Sequence, residues 1–483
     1  MTLKEKTITG LKWSLIDNTS RLGLSFIFGI ILARLLSPRE YGLFGMITIF
    51  IAFAVPFVDS GFGSALIRKQ NCTQEDYSTV FYFNLIIGIL FYFLLFFSAE
   101  EISKFFNEPL LKPMVRVVGM CIIINAFSLI QSTRLTKQIN FKLQTKISII
   151  SVVVAGGVAI AMAYAGYGVW SLIVRSILSY LITSVFLWRW NKWKPSLTFS
   201  VSSFKELFSF GSKLLASGLI NTIYRNIYYL VIGKYFTAVE LGYYTRAELF
   251  QSLPSSNLQG IIGRVSYPIL TTIQEDIPRL REAYKKIIRG TMLIAFVLML
   301  GMAAIARPMV LTLIGKKWEP SIIYLQMLCF VGMFYPLHVL NLNMLQVQGR
   351  SDLFLRLEII KKALTVPVII IGVIWGIKAM ILGMMLLALI SYYLNSYWSG
   401  HFIGYSFLEQ IKDILPSFLL ALVMSSIVFA EGLLIALPPL PLLIIQLVTG
   451  ALLTFGLCEI FHLKDYIYIK SIINANFLKS DRS

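Results

Sequence analysis

The stretch TVFYFNLIIGILFYFLLFFS, residues 79–98, has no charged residue and is long enough to cross the hydrocarbon core of a bilayer as a helix. The stretch TMLIAFVLMLGMAAIA, residues 291–306, has the same character. About fourteen such segments follow one another along the chain, separated by short polar connections. A backbone surrounded by hydrocarbon must satisfy its own hydrogen bonds, so each segment is predicted to be helical. The chain is therefore predicted to be an all-α, polytopic membrane protein.

The composition agrees with this fold class. Of the 483 residues, 57% are hydrophobic and 14% are charged, whereas soluble domains carry about 25% charged residues. The connections between the apolar segments are too short to form a soluble domain of typical size. The first apolar segment is interrupted by Asp17 and Arg21, unlike the apolar region of a cleavable signal peptide. We expect it to be retained as the first membrane helix.

The net charge of +19 would suggest a nucleic acid partner if the chain were soluble. Here the basic residues concentrate in alternate connections, as expected when the cytoplasmic side of a membrane protein is the positive side. With an even number of spans, both termini are predicted to be cytoplasmic. No nucleic acid partner is expected.

No motif in the chain indicates a metal, cofactor or catalytic site. The four cysteines and three histidines are scattered without the spacing of metal ligands. The chain has no phosphate-binding loop of the G-x-x-x-x-G-K-[ST] type and no G-x-S-x-G or H-E-x-x-H motif. Neither a metal nor a cofactor is predicted, and the chain is not expected to be an enzyme.

An internal repeat relates the two halves of the chain. Residues 33–42 read ARLLSPREYG, and residues 233–242 read GKYFTAVELG, with Glu and Gly in register. The alternative is a chance similarity between amphipathic segments. A true repeat predicts two pseudo-symmetric lobes, with the substrate site at their interface. The predicted divisions are an N-terminal lobe at 1–200 with spans 1–6, a C-terminal lobe at 201–400 with spans 7–12, and residues 401–483 with spans 13–14 and a cytoplasmic tail.

Several predicted spans carry an arginine at membrane depth, where a charge costs at least about 2.5 kcal/mol. These arginines are Arg21, Arg116, Arg175, Arg225 and Arg264. The acidic residues at similar depth are only Asp17 and Asp59, so the acids cannot neutralise the arginines. Water or an anionic ligand must therefore complete the charge balance.

Helical spacing places Asn221 on one face with Arg225, and Asn257 on one face with Arg264. A wet cavity lined by guanidinium groups suits a diphosphate, because arginine donates hydrogen bonds in pairs. The candidate substrate-binding residues are therefore the five arginines with Asn221 and Asn257. Two alternatives remain: Asp17 and Arg21 form an intrahelical ion pair, or Arg116 and Arg175 extend to the outer headgroups.

Four segments carry a family resemblance. They are ARLLSPREYGLFGM at 33–46, VSYPIL at 265–270 followed by DIPRLREAY at 276–284, GKKWEP at 315–320, and QGRSDL at 348–353. Together they resemble bacterial polysaccharide repeat-unit flippases of the multidrug/oligosaccharidyl-lipid/polysaccharide (MOP) exporter superfamily. The resemblance covers most of the chain.

This resemblance implies a two-lobed bundle in the bacterial inner (cytoplasmic) membrane. By alternating access it would move undecaprenyl-diphosphate-linked oligosaccharides to the outer leaflet for surface polysaccharide biosynthesis. Related peptidoglycan-precursor flippases rely on arginines in their first and eighth helices, and Arg21 and Arg264 occupy comparable spans. The expected partners are this lipid-linked oligosaccharide, membrane lipids, a polysaccharide polymerase and glycosyltransferases.

Two other functions stay open at this point. A cation-coupled exporter of small amphiphiles or drugs would depend on Asp17 or Asp59, which are the candidate ion-coupling residues. A membrane polysaccharide polymerase or acyltransferase would need a long outer loop with catalytic residues, and none is evident in the chain.

Overall fold

The computed structural model describes the backbone of residues 3–462 and 466–467, and their side chains except those of residues 3–8, 11, 15, 261, 264 and 265. The described residues contain helices and no β-strand. They fall into two compact units, Met1–Gly242 and Tyr243–Ser483. The predicted lobe boundaries at residues 200 and 400 remain a prediction, and the predicted cytoplasmic tail lies outside the described residues from residue 468 onward.

The first unit contains nine helices within its described part. They are α1 (Leu3–Leu35), α2 (Pro38–Asp59), α3 (Phe62–Arg68), α4 (Gln74–Phe106), α5 (Leu111–Val118), α6 (Met120–Lys137), α7 (Phe141–Tyr164), α8 (Trp170–Asn191) and α9 (Val201–Tyr235). Helix α1 packs along α7, which packs along α8. Helix α9 packs along α2, α3 and α4.

The second unit contains the helices that follow. They are α10 (Ala238–Thr271, which begins in the first unit), α11 (Ile277–Ala304), α12 (Ala306–Leu313), α13 (Ser321–Gly332), α14 (Tyr335–Val347), α15 (Ser351–Trp375), α16 (Ile377–Ile403), α17 (Phe407–Leu434) and α18 (Pro439–Ile460). A short 3-10 turn, Lys316–Trp318, lies between α12 and α13. Helix α17 packs along α11, and α18 packs along α12 and α17.

Eleven helical stretches in the described residues are long and apolar enough to cross a membrane. Three further helices occupy predicted spans but are more polar or carry more charge, namely α9, α10 and α15, with 35, 34 and 25 residues. Their lengths exceed the roughly 20 residues that a span needs. The predicted all-α multi-pass fold is therefore confirmed, while the count of fourteen spans stays a prediction.

The predicted second span, residues 40–62, corresponds to α2, and a short helix, α3, follows it after a turn. Helix α2 ends at Asp59, and Ser60 and Gly61 take left-handed backbone conformations before α3 begins. This turn brings the backbone of Gly61 against the backbone of Gly211 on α9. A Cβ atom on Gly61 would lie 2.4 Å from the Gly211 carbonyl oxygen, so the contact leaves no space for a side chain.

The two copies of the internal repeat meet each other. Ser37 accepts a hydrogen bond from the backbone of Glu40 at the start of α2, and Thr237 accepts one from the backbone of Glu240 at the start of α10. These equivalent caps place the two helix starts side by side. A Cβ atom on Gly42 would lie 1.6 Å from the carbonyl oxygen of Ala238. This close approach explains the glycine at position 42, because no side chain would fit there.

The reciprocal contact involves the equivalent residues of the repeat. A Cβ atom on Gly242 would lie 1.9 Å from the carbonyl oxygen of Pro38. Pro38 and Ala238 hold the same position in the two copies, as do Gly42 and Gly242. The symmetry of this contact favours a true repeat over the alternative of chance similarity.

An extended segment, residues 192–200, leads into α9 and is fixed to the first unit by side chains. Gln131 of α6 donates a hydrogen bond to the Trp193 carbonyl oxygen over 3.0 Å. The Thr79 hydroxyl of α4 accepts one from the Ser200 backbone over 2.9 Å. These bonds position the start of α9, the helix that carries Asn221 and Arg225.

The crossing of the repeat copies predicts a sharp effect of one methyl group. We expect Gly42→Ala to lower the thermal unfolding temperature of the purified protein, because the new Cβ would overlap the Ala238 backbone, and overpacking costs about 1–3 kcal/mol. The matched control is Gly456→Ala on α18, where a Cβ would meet no atom within 4 Å. Equal unfolding temperatures for the two variants would contradict the close contact.

Candidate functional site: arginines at membrane depth

Arg225 lies well inside α9, about 15 Å along the helix axis from its C-terminal end at Tyr235. Its side chain is exposed, as is that of Asn221 one turn earlier. Among the described side chains, no carboxylate forms an ion pair with Arg225. If α9 spans the membrane as predicted, an unpaired guanidinium at this position is costly in hydrocarbon, and its exposed side then requires water or an anionic ligand.

The opposite face of α9 is apolar. Ile223, Ile227 and Leu230 line a cavity of about 270 Å³ together with residues of α2 and α4, and Asn226 is the polar residue in its lining. At 100° per residue, these positions lie on the other side of the helix from Arg225. Helix α9 therefore separates an apolar face from a face that carries a guanidinium group.

Arg21 lies on α1 with Asp17 one turn before it. The Arg21 side chain is exposed, and the two residues do not form an ion pair within the described structure. The Asp17 Oδ1 atom is buried and has no hydrogen-bond partner among the described atoms. The intrahelical ion pair that the sequence left open is therefore absent from this arrangement.

Arg116 has a structural partner on the neighbouring helix. Its Nε donates a hydrogen bond to the Phe96 carbonyl oxygen over 3.3 Å, and the guanidinium carbon lies 4.4 Å from the centre of the Phe96 ring. Such a cation–π contact stabilises a cation by about 0.5–2 kcal/mol. Arg175, on α8, is half-buried. Substrate contacts by these two arginines remain a prediction.

The second unit carries the other two candidates on α10. Asn257 is exposed, and its Nδ2 donates to the Leu253 carbonyl oxygen over 2.8 Å, which orients its amide along the helix. Arg264 lies in the same helix, but its side chain is outside the described part of the structure. Both roles remain predictions.

Asp59 has a local structural role. Its Oδ1 accepts a hydrogen bond from the Gly63 backbone over 3.0 Å, so it caps α3 at the break between α2 and α3. Its side chain is half-buried. The predicted ion-coupling roles of Asp59 and Asp17 remain predictions, and of the two only Asp17 has an orphaned buried oxygen.

The structural role of Gly211 was not predicted from the sequence. The pattern Gly211-x-Lys213 echoes Gly10-x-Lys12, but this similarity does not indicate a contact. In the structure Gly211 is where α9 touches the turn between α2 and α3, which anchors the helix that carries Arg225. The available signal was a glycine in the interior of a long predicted helix, which costs stability unless a close approach requires it.

The comparison with known proteins now decides the family. Residues 31–323, more than half of the chain, match the polysaccharide biosynthesis protein family. The chain belongs to this family. The lipopolysaccharide biosynthesis protein WzxC of Escherichia coli strain K12 is 27% identical over 441 residues, which cover 89% of each chain. The teichuronic acid biosynthesis protein TuaB of Bacillus subtilis strain 168 is 27% identical over 356 residues, 73% of each chain.

The fold also matches a solved structure. The lipid II flippase MurJ, in an inward closed conformation, superimposes with a TM-score of 0.76 at 16% identity, over 95% of this chain and 100% of that one. At this identity the match establishes the fold alone. The predicted family resemblance and the predicted helical fold are therefore both confirmed. The protein is a multi-pass membrane protein.

The exposed side of Arg225 can be tested for contact with water. In a background whose four cysteines are replaced by serine, we expect Arg225→Cys to react with a charged, membrane-impermeant thiol reagent in membrane vesicles, because the reaction needs a hydrated thiolate. The matched control is Ile223→Cys on the apolar face of the same helix. Arg225→Cys labelling as slow as that of Ile223→Cys would mean that Arg225 faces lipid.

Proposed function

We propose that this protein flips undecaprenyl-diphosphate-linked oligosaccharide repeat units across the bacterial cytoplasmic membrane, and so supplies surface polysaccharide biosynthesis. The single observation that carries this proposal is the exposed guanidinium of Arg225 well inside α9, a predicted span, without an ion pair to any described carboxylate. A protein that transports a cation would not need an unpaired guanidinium. A lipid carrier that brings negative charge into the membrane gives this guanidinium an anion to bind.

The diphosphate is the part of the substrate that the arginines recognise. Guanidinium is planar, stays protonated and donates two parallel hydrogen bonds to phosphate oxygens. Each hydrogen bond to a charged group contributes about 1.5–3 kcal/mol. Arg21 and Arg225 bind the diphosphate in this proposal, and Arg264, Asn221 and Asn257 extend the site, with Arg116 and Arg175 nearer the outer surface.

The oligosaccharide and the prenyl chain need opposite environments. The sugar must stay hydrated while it crosses, which requires a wet path past the arginines. The prenyl chain remains in lipid, because moving its apolar surface into water costs about 25 cal/mol per Å². A family whose curated relatives include lipopolysaccharide and teichuronic acid biosynthesis proteins supports a surface polymer as the destination. The fold shared with a lipid II flippase supports a flipping mechanism.

Alternating access between the two lobes is the proposed mechanism, with both termini on the cytoplasmic side. Glycosyltransferases would supply the loaded carrier on that side, and a polysaccharide polymerase would consume it on the outer side. The protein itself forms and breaks no covalent bond. Asp17 is the proposed ion-coupling residue in the first unit, because its orphaned buried oxygen offers a place for a cation.

Arginine substitutions test the site in cells. We expect Arg225→Ala and Arg264→Ala, made separately in a strain that depends on this gene for its surface polymer, to reduce that polymer at least about tenfold because a charge-assisted bond is lost. The lipid-linked repeat unit should accumulate inside the cell. Arg225→Lys, which keeps the charge but loses the paired donors, should give an intermediate amount.

The matched control is Arg350→Ala. Arg350 lies between α14 and α15 and donates two hydrogen bonds to Asp352, so its partner is known and is not a substrate. Cells with the Arg350→Ala variant should export the polymer at the wild-type level. Wild-type polymer in both Arg225→Ala and Arg264→Ala, at normal protein levels, would refute the assigned site.

A further inference from the structure

The extended segment between α8 and α9, residues 192–200, carries apolar side chains that the described part of the chain leaves uncovered. Leu197 is 95% exposed and Phe199 is 51% exposed, and Val201, the first residue of α9, is 58% exposed. Residues two apart in an extended chain lie on the same side of it. Leu197 and Phe199 therefore share one side of the segment, and Val201 continues the apolar patch.

The opposite side of the segment is anchored to α4. The Ser196 hydroxyl lies 3.0 Å from the Ser78 hydroxyl, and the Thr198 hydroxyl lies 2.7 Å from that of Ser196. The Ser200 backbone donates to the Thr79 hydroxyl over 2.9 Å. These hydrogen bonds fix which side of the segment faces the protein, so the apolar patch faces away from α4.

The same hydrogen bonds set the depth of the segment. Thr79 is the first residue of the uninterrupted apolar stretch 79–98. A stretch of that length covers the hydrocarbon core, so its first residue marks the expected boundary between hydrocarbon and headgroups. Residues 196–200 lie beside this boundary.

Two tryptophans lie close to this level. The Trp193 indole donates to the Gln74 side chain over 2.7 Å, and the Trp188 indole donates to the Phe127 carbonyl oxygen over 3.0 Å. Tryptophan is enriched at the two interfaces between a membrane and water, because its ring is apolar and its indole nitrogen is a donor. Their positions agree with an interfacial location for the segment.

Basic residues flank the apolar patch. Residues 189–205 contain four basic residues and no acidic residue. The four are exposed, and none forms an ion pair within the described residues; they are Arg189, Lys192, Lys194 and Lys205. Glu206, the next residue, is already paired with Lys69. The positive charge of the segment is therefore available to an external anion.

This combination of groups matches the chemistry of an anionic phospholipid. Such a lipid has acyl chains that can cover exposed apolar side chains and a headgroup that attracts lysine and arginine. A zwitterionic lipid would cover the apolar patch without drawing on the four positive charges. A soluble protein partner could cover the patch as well, but the position beside the hydrocarbon boundary favours lipid.

We propose that residues 189–205 form an interfacial segment that binds anionic phospholipids. Leu197, Phe199 and Val201 insert among the upper parts of the acyl chains, and the four basic residues bind the headgroups. This binding would hold the connection between α8 and α9 at the membrane surface. The inference does not rest on the proposed function, because no residue of this segment belongs to the proposed diphosphate site.

The first experiment measures whether the apolar patch contacts acyl chains. In a background whose four cysteines are replaced by serine, Phe199→Cys is labelled with bimane, and the full-length protein is placed in nanodiscs whose lipids carry bromine on the upper acyl carbons. Bromine quenches the fluorophore on contact, so we expect strong quenching at position 199. The matched control is Thr198→Cys, an exposed position on the anchored side of the segment. Quenching at 199 no stronger than at 198 would overturn the proposal and leave the patch as a surface for a soluble partner.

The second experiment measures recognition of charge at the same position. Brominated phosphatidylglycerol and brominated phosphatidylcholine are compared at equal fractions in the nanodisc, and we expect phosphatidylglycerol to quench the probe at 199 more strongly. Lys192→Gln combined with Lys194→Gln should lower this preference by about twofold or more, because each basic residue near the surface adds to the attraction.

The control for this charge effect removes two exposed lysines elsewhere. Lys316→Gln combined with Lys378→Gln, in connections of the second unit, should leave the preference at position 199 unchanged. Equal quenching by the two lipids in the unsubstituted protein would overturn the proposal, as would a preference that survives Lys192→Gln with Lys194→Gln. Lys192 and Lys194 are exposed, so unfolding temperatures equal to that of the parent protein are expected and would show that the loss of preference reports charge rather than misfolding.

Discussion

A charge inside the hydrocarbon layer must be matched by water or by an opposite charge, and the organisation of this protein follows from that constraint. Its backbone is satisfied by helices, as hydrocarbon requires. Arg21 and Arg225 are exposed within long helices and lack ion pairs to described carboxylates. In the predicted spans, water or an external anion has to balance their charge. In the proposed function, the diphosphate of a lipid carrier is that anion.

Helix α9, which carries Arg225, and helix α10, which carries Arg264, each make a close contact between backbones. Gly61 meets Gly211 where α9 passes the turn between α2 and α3, and Gly42 lies against Ala238 where the repeat copies cross. Such contacts leave no room for side chains to rearrange, in keeping with the dense packing of protein interiors. Helix α9 also has an apolar face, which lines a cavity, and an opposite face that carries Arg225. A helix with one apolar and one charged face suits a protein that binds an amphiphile.

The fold was largely predictable because uninterrupted apolar stretches such as 79–98 permit few alternatives. Long helices are present where the spans of α9, α10 and α15 were predicted, and that they cross the membrane stays a prediction. The short helix α3 after the turn at Ser60 and Gly61 was not predicted, because seven residues are too few to show a clear helical pattern in the sequence. The individual arginines were selected because a charge is costly in lipid, and their roles in a site stay predictions.

The central claim is that guanidinium groups within the membrane bind the diphosphate of a lipid carrier. A cryo-electron microscopy structure of the full-length protein in nanodiscs with undecaprenyl diphosphate tests it most directly. The account predicts density for the diphosphate within about 3 Å of the guanidinium nitrogens of Arg225, the distance of a charge-assisted hydrogen bond. Diphosphate density elsewhere, with the Arg225 side chain paired to a carboxylate or turned into the acyl chains, would contradict it.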